Sequence, residues 1–137
     1  MKTRTLIQCL VLFFLIFSTT VFCQKNENFN DFLYKFLTES KFQFSRIKFP
    51  LKLNEFNAKA NKVENKTVAK NKWVFDDYKF VVDSYFIRVS DKFEENKFET
   101  GQRVLTITQD GSHMNISLYF QLIKEKWYLV KKENLGD

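Results

Sequence analysis

A single histidine, His113, is the only imidazole available as a base, and it follows Asp110-Gly111 in what reads as a turn. A general base needs an orienting partner and shelter from water, and a turn flank offers neither. A solvated His113 is expected. One histidine also excludes paired-histidine metal motifs, and Cys9 and Cys23 are too few for a Cys-rich metal site or a disulfide framework. The remaining chemistry lies in carboxylates beside aromatics, with Asp76, Asp77 and Asp83 among Trp73, Phe75, Tyr78 and Tyr85. An apolar pocket raises an aspartate's pKa, which suits it to accept a proton, with a tyrosine hydroxyl as donor. Adjacent Asp76-Asp77 between apolar residues reads better as a turn. Arg46 stands between Phe44 and Phe49 in a chain with 18 Lys and 4 Arg. Its planar fork fits a carboxylate, either internal or on an anionic ligand, and the internal pair is the favoured reading. No catalytic residue, metal site or cofactor is assigned.

These side chains must be held by a small fold. The 137 residues include 17 Phe but only 3 Gly and 1 Pro, which excludes collagen-like and Gly/Pro-rich disordered chains. The first 23 residues run from Lys2 and Arg4 through an apolar stretch, Cys9 to Phe17, to a short polar segment. That order matches a cleaved secretory signal, and the apolar run is short of the about 20 residues that span a bilayer. Cleavage before Gln24 leaves Val21 and Cys23 at the −3 and −1 positions. A rival reading lipidates Cys23, but bulky Phe22 precedes it where a small residue is needed. Residues 24–137 are then one exported, cysteine-free domain, periplasmic or secreted, without a transmembrane segment.

The net charge is +6, and between Lys52 and Lys72 lie six Lys and two Glu. Once Lys2 and Arg4 leave with the signal, this basic stretch carries the whole remaining excess. No aromatic interleaves with the lysines from Asn57 to Lys72 as a base-stacking platform would, so nucleic acid is disfavoured and a solvated surface expected.

Phe29, Phe32, Leu33, Phe36 and Leu37 make one apolar helical face, with Asn28 or Asn30 as cap and Asp31 in the first turn. Phe42 and Phe44 suit a short second turn. Pro50 favours an extended Phe49, so Arg46 to Leu53 reads as a strand with Pro at an edge or bulge. Asn54 to Asn71 reads as a frayed helix or a long polar connection, Lys79 to Val89 as a strand, and Asp91 to Glu99 as a loop or short helical turn. Asp110-Gly111 predicts a two-residue hairpin turn, which sets Leu105 opposite Ile116 and Ile107 opposite Met114. Leu118, Phe120 and Leu122 continue the apolar face, and a second tight turn near Lys124-Glu125-Lys126 brings Trp127 and Leu129 onto it. A helix followed by a curved, mostly antiparallel sheet is an α+β two-layer domain.

The stretch Phe42-Gln43-Phe44-Ser45-Arg46-Ile47-Lys48-Phe49-Pro50-Leu51 resembles the Phe-Gln-x-x-Arg-Ile-x-Phe-Pro-Leu signature of an uncharacterised family of exported proteins from Gram-negative bacteria. That family also carries a Phe-rich helix and closes on Trp-x-Leu, as Trp127-Tyr128-Leu129 does here. The element order is similar to the nuclear transport factor 2-like, cystatin-like cone fold. The resemblance implies a cone whose mouth holds a small apolar ligand in many relatives, and it implies no activity. Arg46, Trp73, Tyr85 and Tyr119 are the residues assigned to such a ligand. The leading expectation is a non-catalytic exported domain that binds a small apolar or anionic molecule or a protein partner. The alternatives are an isomerase- or dehydratase-like enzyme using Asp and Tyr, and a secreted structural or inhibitory module.

Overall fold

The computed structural model describes residues 25–78, 85–90, 100–109, 111 and 113–136. Helix α1, Phe29–Thr38, starts where the Asn28 side chain accepts hydrogen bonds from the Asn30 and Asp31 amides, leaving Asp31 in the positive first turn. A short helix α2, Ser40–Ser45, follows. Six strands come next: β1, Ile47–Asn57; β2, Lys62–Val68; β3, Tyr85–Ser90; β4, Gln102–Gln109; β5, Asn115–Ile123; β6, Lys126–Asn134. They form one sheet in the order β2-β1-β6-β5-β4-β3, in which only the β1–β6 pair is parallel. The expected signal, residues 79–84 of the expected third strand, and the Asp91–Glu99 loop lie outside the described residues.

The sheet bends where its register slips. The β1–β6 register shifts between Ile47 and Lys52, the stretch that holds Pro50, so the proline sits at an irregularity as expected. A second shift between Tyr119 and Phe120 leaves Val130 as an extra residue on β6. The β5–β6 turn is tight, with Lys124 and Glu125 both at positive φ and Ile123 paired with Lys126.

The β4–β5 register corrects the expectation by two residues. Leu105 faces Leu118 and Ile107 faces Ile116, so the connection is longer than the two-residue Asp110-Gly111 turn. Gly111 still takes the left-handed conformation, at φ +71°. Because strand side chains alternate with period two, a two-residue slip leaves every side chain on its expected face. Asn54 to Asn71 is corrected outright. It is neither helix nor long connection but a β1–β2 hairpin and a 3-10 turn at Lys70–Lys72. The asparagines make the turn: the Asn57 side chain accepts from the Ala60 amide, and Asn61 adopts positive φ, which asparagine tolerates.

The core lies between α1 and one sheet face. Phe32, Phe36, Ile47, Leu51, Leu105, Ile107, Leu118, Phe120, Trp127 and Leu129 are all buried there. Phe120 has no exposed surface, and the rings of Phe29, Phe32 and Phe36 pack edge-on against it with centroids 5.2–5.6 Å away. Tyr119 points to the other face, opposite Val104 and Lys131. Truncating Phe120 to Ala is expected to cost about 3–5 kcal/mol, from lost burial plus the cavity left. Urea melts of Phe120→Ala and Tyr119→Ala check this; a larger loss for Tyr119→Ala contradicts the assignment of faces.

Candidate functional site

The segment after the 3-10 turn is anchored by Gln43, the one fully buried polar residue among those described. Its Nε2 donates to the carbonyls of Phe36 (3.0 Å) and Asp76 (3.2 Å). Its Oε1 accepts from Trp73 Nε1 and the Asp76 amide, each at 3.2 Å. All four bonding positions of the amide are filled, as burial of a polar group demands. α2 thereby holds both the end of α1 and residues 73–76, and Trp73 also packs against Phe49.

Gln43 thus sets Asp76 over the helix-covered sheet face. The Asp76 Oδ2 accepts Lys132 Nζ at 2.7 Å and the Tyr78 hydroxyl at 3.2 Å. Lys132 arrives from β6 on the core-facing side, between its neighbours Leu53 and Leu118, with its Nζ 6.0 Å from the Trp73 ring. Burial, and then the Asp76 charge, push the Tyr78 phenol above its ordinary pKa. Asp76, Tyr78, Lys132 and Trp73 form a half-buried corner of aromatic surface with one cation and one anion. Asp77 is exposed beside it, and Asp83 lies outside the described residues.

The four residues assigned to a ligand occupy different places. Trp73 belongs to this corner. Arg46 forms a forked pair with Glu27, Nη1 to Oε2 at 2.9 Å and Nη2 to Oε1 at 2.8 Å, and its guanidinium lies 4.8 Å from the Phe42 ring centroid. Glu27 Oε2 also accepts the Trp127 amide, and the Glu27 carbonyl accepts Trp127 Nε1. Arg46 therefore fastens the segment before α1 to the start of β6. Tyr119 lies on the opposite sheet face, and Tyr85 opens β3 opposite Gln109. His113 is exposed, in the connection before β5. Sequence reasoning passed over Gln43 and Lys132. Gln43 is inside the ten-residue signature, a polar residue flanked by two phenylalanines, and that was its available signal.

On the opposite face, Glu133 collects three donors: Tyr119 Oη, Lys131 Nζ at 2.8 Å and Asn54 Nδ2 at 2.9 Å. Burial, and then Glu133, push the Tyr119 phenol up. Burial works to raise the Glu133 carboxyl too, but the three donors outweigh it and hold its pKa below the ordinary 4.5. The unfolded chain therefore binds a proton here that the folded chain resists. This contribution to stability is present above about pH 4.5 and is lost as pH falls through the folded-state pKa. In acid titrations of unfolding free energy, Glu133→Gln is expected to show a smaller loss below that pH than wild type. Equal losses contradict the assignment.

Among the described residues no helix is long and apolar enough to cross a membrane. No curated protein matches the chain by sequence. Solved structures do match. An NTF2-like protein from Bacteroides fragilis aligns at a TM-score of 0.62 and 22% identity, over 83% of this chain and 49% of its own. The chain thus spans about half the length of that protein. A cystatin-like protein from Bacteroides caccae aligns at 0.53 and 25% identity, covering 80% of this chain and 77% of its own. A Bacteroides ovatus protein aligns at 0.51 and 22%, covering 82% and 77%. A family model matches residues 27–134, which takes in both helices and the six strands among the described residues. The chain belongs to that family, and its fold is the NTF2-like, cystatin-like cone.

Proposed function

We propose that the chain is an exported, non-catalytic binding domain that takes a small molecule at the Trp73–Tyr78–Lys132 corner of its cone. One observation carries the reading: the Asp76 carboxylate already holds the Lys132 ammonium and the Tyr78 hydroxyl. An aspartate base and a tyrosine donor must both aim at a substrate, whereas these two are spent on each other and on a lysine. What the corner offers instead is aromatic surface with a few fixed polar groups, the composition of a binding site. A ligand with an apolar body and a hydrogen-bond-accepting polar group fits it, the body against Trp73 and the polar group toward the Lys132 ammonium hydrogens not given to Asp76. Export rests on the order of charged, apolar and polar segments in residues 1–23, with Gln24 as the mature N-terminus.

A second reading has an observation of its own. Asp76 and Tyr78 do meet, as an isomerase- or dehydratase-like site needs, and a substrate able to displace Lys132 would free the base. The two readings separate in one set of measurements on protein recovered from its host. Its intact mass is expected to begin at Gln24, and 8-anilinonaphthalene-1-sulfonate, an aromatic anion, is expected to bind the native fold at one saturable site. Lys132→Met should weaken that binding, with Asp76→Asn retaining it. Absence of a saturable site overturns the binding reading, as does turnover of a ketosteroid abolished by Asp76→Asn. A diacylglycerol-modified Cys23 overturns the processing.

A further inference from the structure

The opposite face of the sheet carries a second feature, independent of the corner described above. A depression of about 480 Å³ lies over β1, β2 and β6, lined by Lys52, Asn54, Asn65, Lys66, Thr67 and Lys131. The register explains why these residues meet. Lys52 is the cross-strand neighbour of Thr67 on one side and Lys131 on the other, and Asn54 stands between Asn65 and Glu133. All but Lys66 share the face away from the helices, and Lys66 reaches the rim from the edge strand.

The charges are not equally satisfied. Lys131 holds Glu133 and lies 4.4 Å from the Tyr119 ring centroid, and Lys66 pairs with Glu64 and Glu55 at 3.1 and 3.3 Å. Lys52 has no carboxylate partner among the described residues. It is instead set directly beside a second lysine, and like charges side by side on one sheet face are destabilising. Nothing in the core requires that arrangement, since Lys52 is exposed. Around it stand the Asn65 amide and the Thr67 hydroxyl, able to donate, and the Asn54 amide, one hydrogen of which already goes to Glu133. The basic block that holds the excess charge of the domain places Lys52, Lys59, Lys62 and Lys66 in this hairpin, and Lys70 and Lys72 in the 3-10 turn that follows. Of its six lysines, all exposed as expected of a solvated surface, Lys52 and Lys66 line the depression, and Lys131 of β6 joins them there.

We infer that this depression binds a small polyanion, a molecule bearing two or more phosphate or carboxylate groups, with Lys52 as its principal contact. Lysine ammoniums supply compact charges without the bidentate geometry of arginine, so the site selects charge density over shape. The volume lies within the range of small-molecule pockets. No aromatic lines it, so a stacked base adds nothing to recognition.

Two-dimensional amide NMR of the folded domain, titrated with pyrophosphate and with citrate, tests this. The expected result is saturable shifts confined to Lys52, Asn54, Asn65, Thr67 and Lys131, with a Kd at or below about 1 mM for at least one of the two anions. Lys52→Gln should weaken that binding about fivefold or more, leave the binding of 8-anilinonaphthalene-1-sulfonate unchanged, and leave the thermal midpoint unchanged or slightly raised, since it relieves the Lys52–Lys131 repulsion. Shifts spread over all lysines without saturation overturn the inference, as does unaltered affinity in Lys52→Gln. Binding to phosphatidylglycerol vesicles with no binding of either small anion also overturns it, and assigns the face to a membrane surface.

Discussion

Four hydrogen bonds from one buried amide decide where the chemistry of this cone lies. Gln43 has no exposed surface, and a glutamine amide left unpaired there would forfeit the hydration of two donors and two acceptor positions. Each of its bonds ends on a different requirement of the fold. The Phe36 carbonyl is in the last turns of α1, where backbone acceptors lack helical partners. The Trp73 indole and the Asp76 backbone belong to a segment with no regular secondary structure of its own. The amide grips this segment at both the Trp73 side chain and the Asp76 backbone, and so holds the Asp76 side chain over Lys132.

Arg46 plays a parallel part at the other end of the helix layer. Its fork on Glu27 and the two bonds between Glu27 and Trp127 close the segment before α1 onto the β5–β6 turn. Gln43 in the short helix and Arg46 at its C-cap are three residues apart, and they tie that helix to residues 73–76 and to Glu27 respectively. The signature is therefore architectural. It holds two helices on a curved sheet, and the sheet then offers two faces of different character. One is aromatic with an Asp–Lys pair at its margin; the other is polar, lysine-rich and anchored by Glu133.

The fold was legible where periodicity alone decides. Helix α1, the apolar face through Leu118, Phe120 and Leu122, and the return of Trp127 and Leu129 all follow from spacings of 3.6 and 2. The hairpin at Asp110-Gly111 was misplaced by two residues because dipeptide turn chemistry specifies parity less ambiguously than loop length. Asn54 to Asn71 misled because Phe56, Ala60, Val63 and Thr67 fall at helical spacing, while the β1–β2 ladder is written in weak alternation of polar residues such as Glu55, Glu64 and Lys66. An edge hairpin buries little, so its pattern is faint. The site was legible only in pieces. Asp76, Tyr78 and Trp73 are close in sequence, but Lys132 comes from the last strand. A register shift of β6 at Val130 decides that Lys132, and not Lys131, faces the core.

The central claim is that Gln43 places Asp76 against Lys132. A double-mutant cycle with Asp76→Asn and Lys132→Met, read by urea unfolding, measures the coupling of that pair directly. In the wild-type background the expected coupling is about 1 kcal/mol, that of a half-exposed ion pair. In a Gln43→Met background, where Trp73 and the Asp76 backbone lose their anchor, it should fall to near zero. A coupling of the same size in both backgrounds would contradict the account, because Asp76 would then find Lys132 without the buried amide.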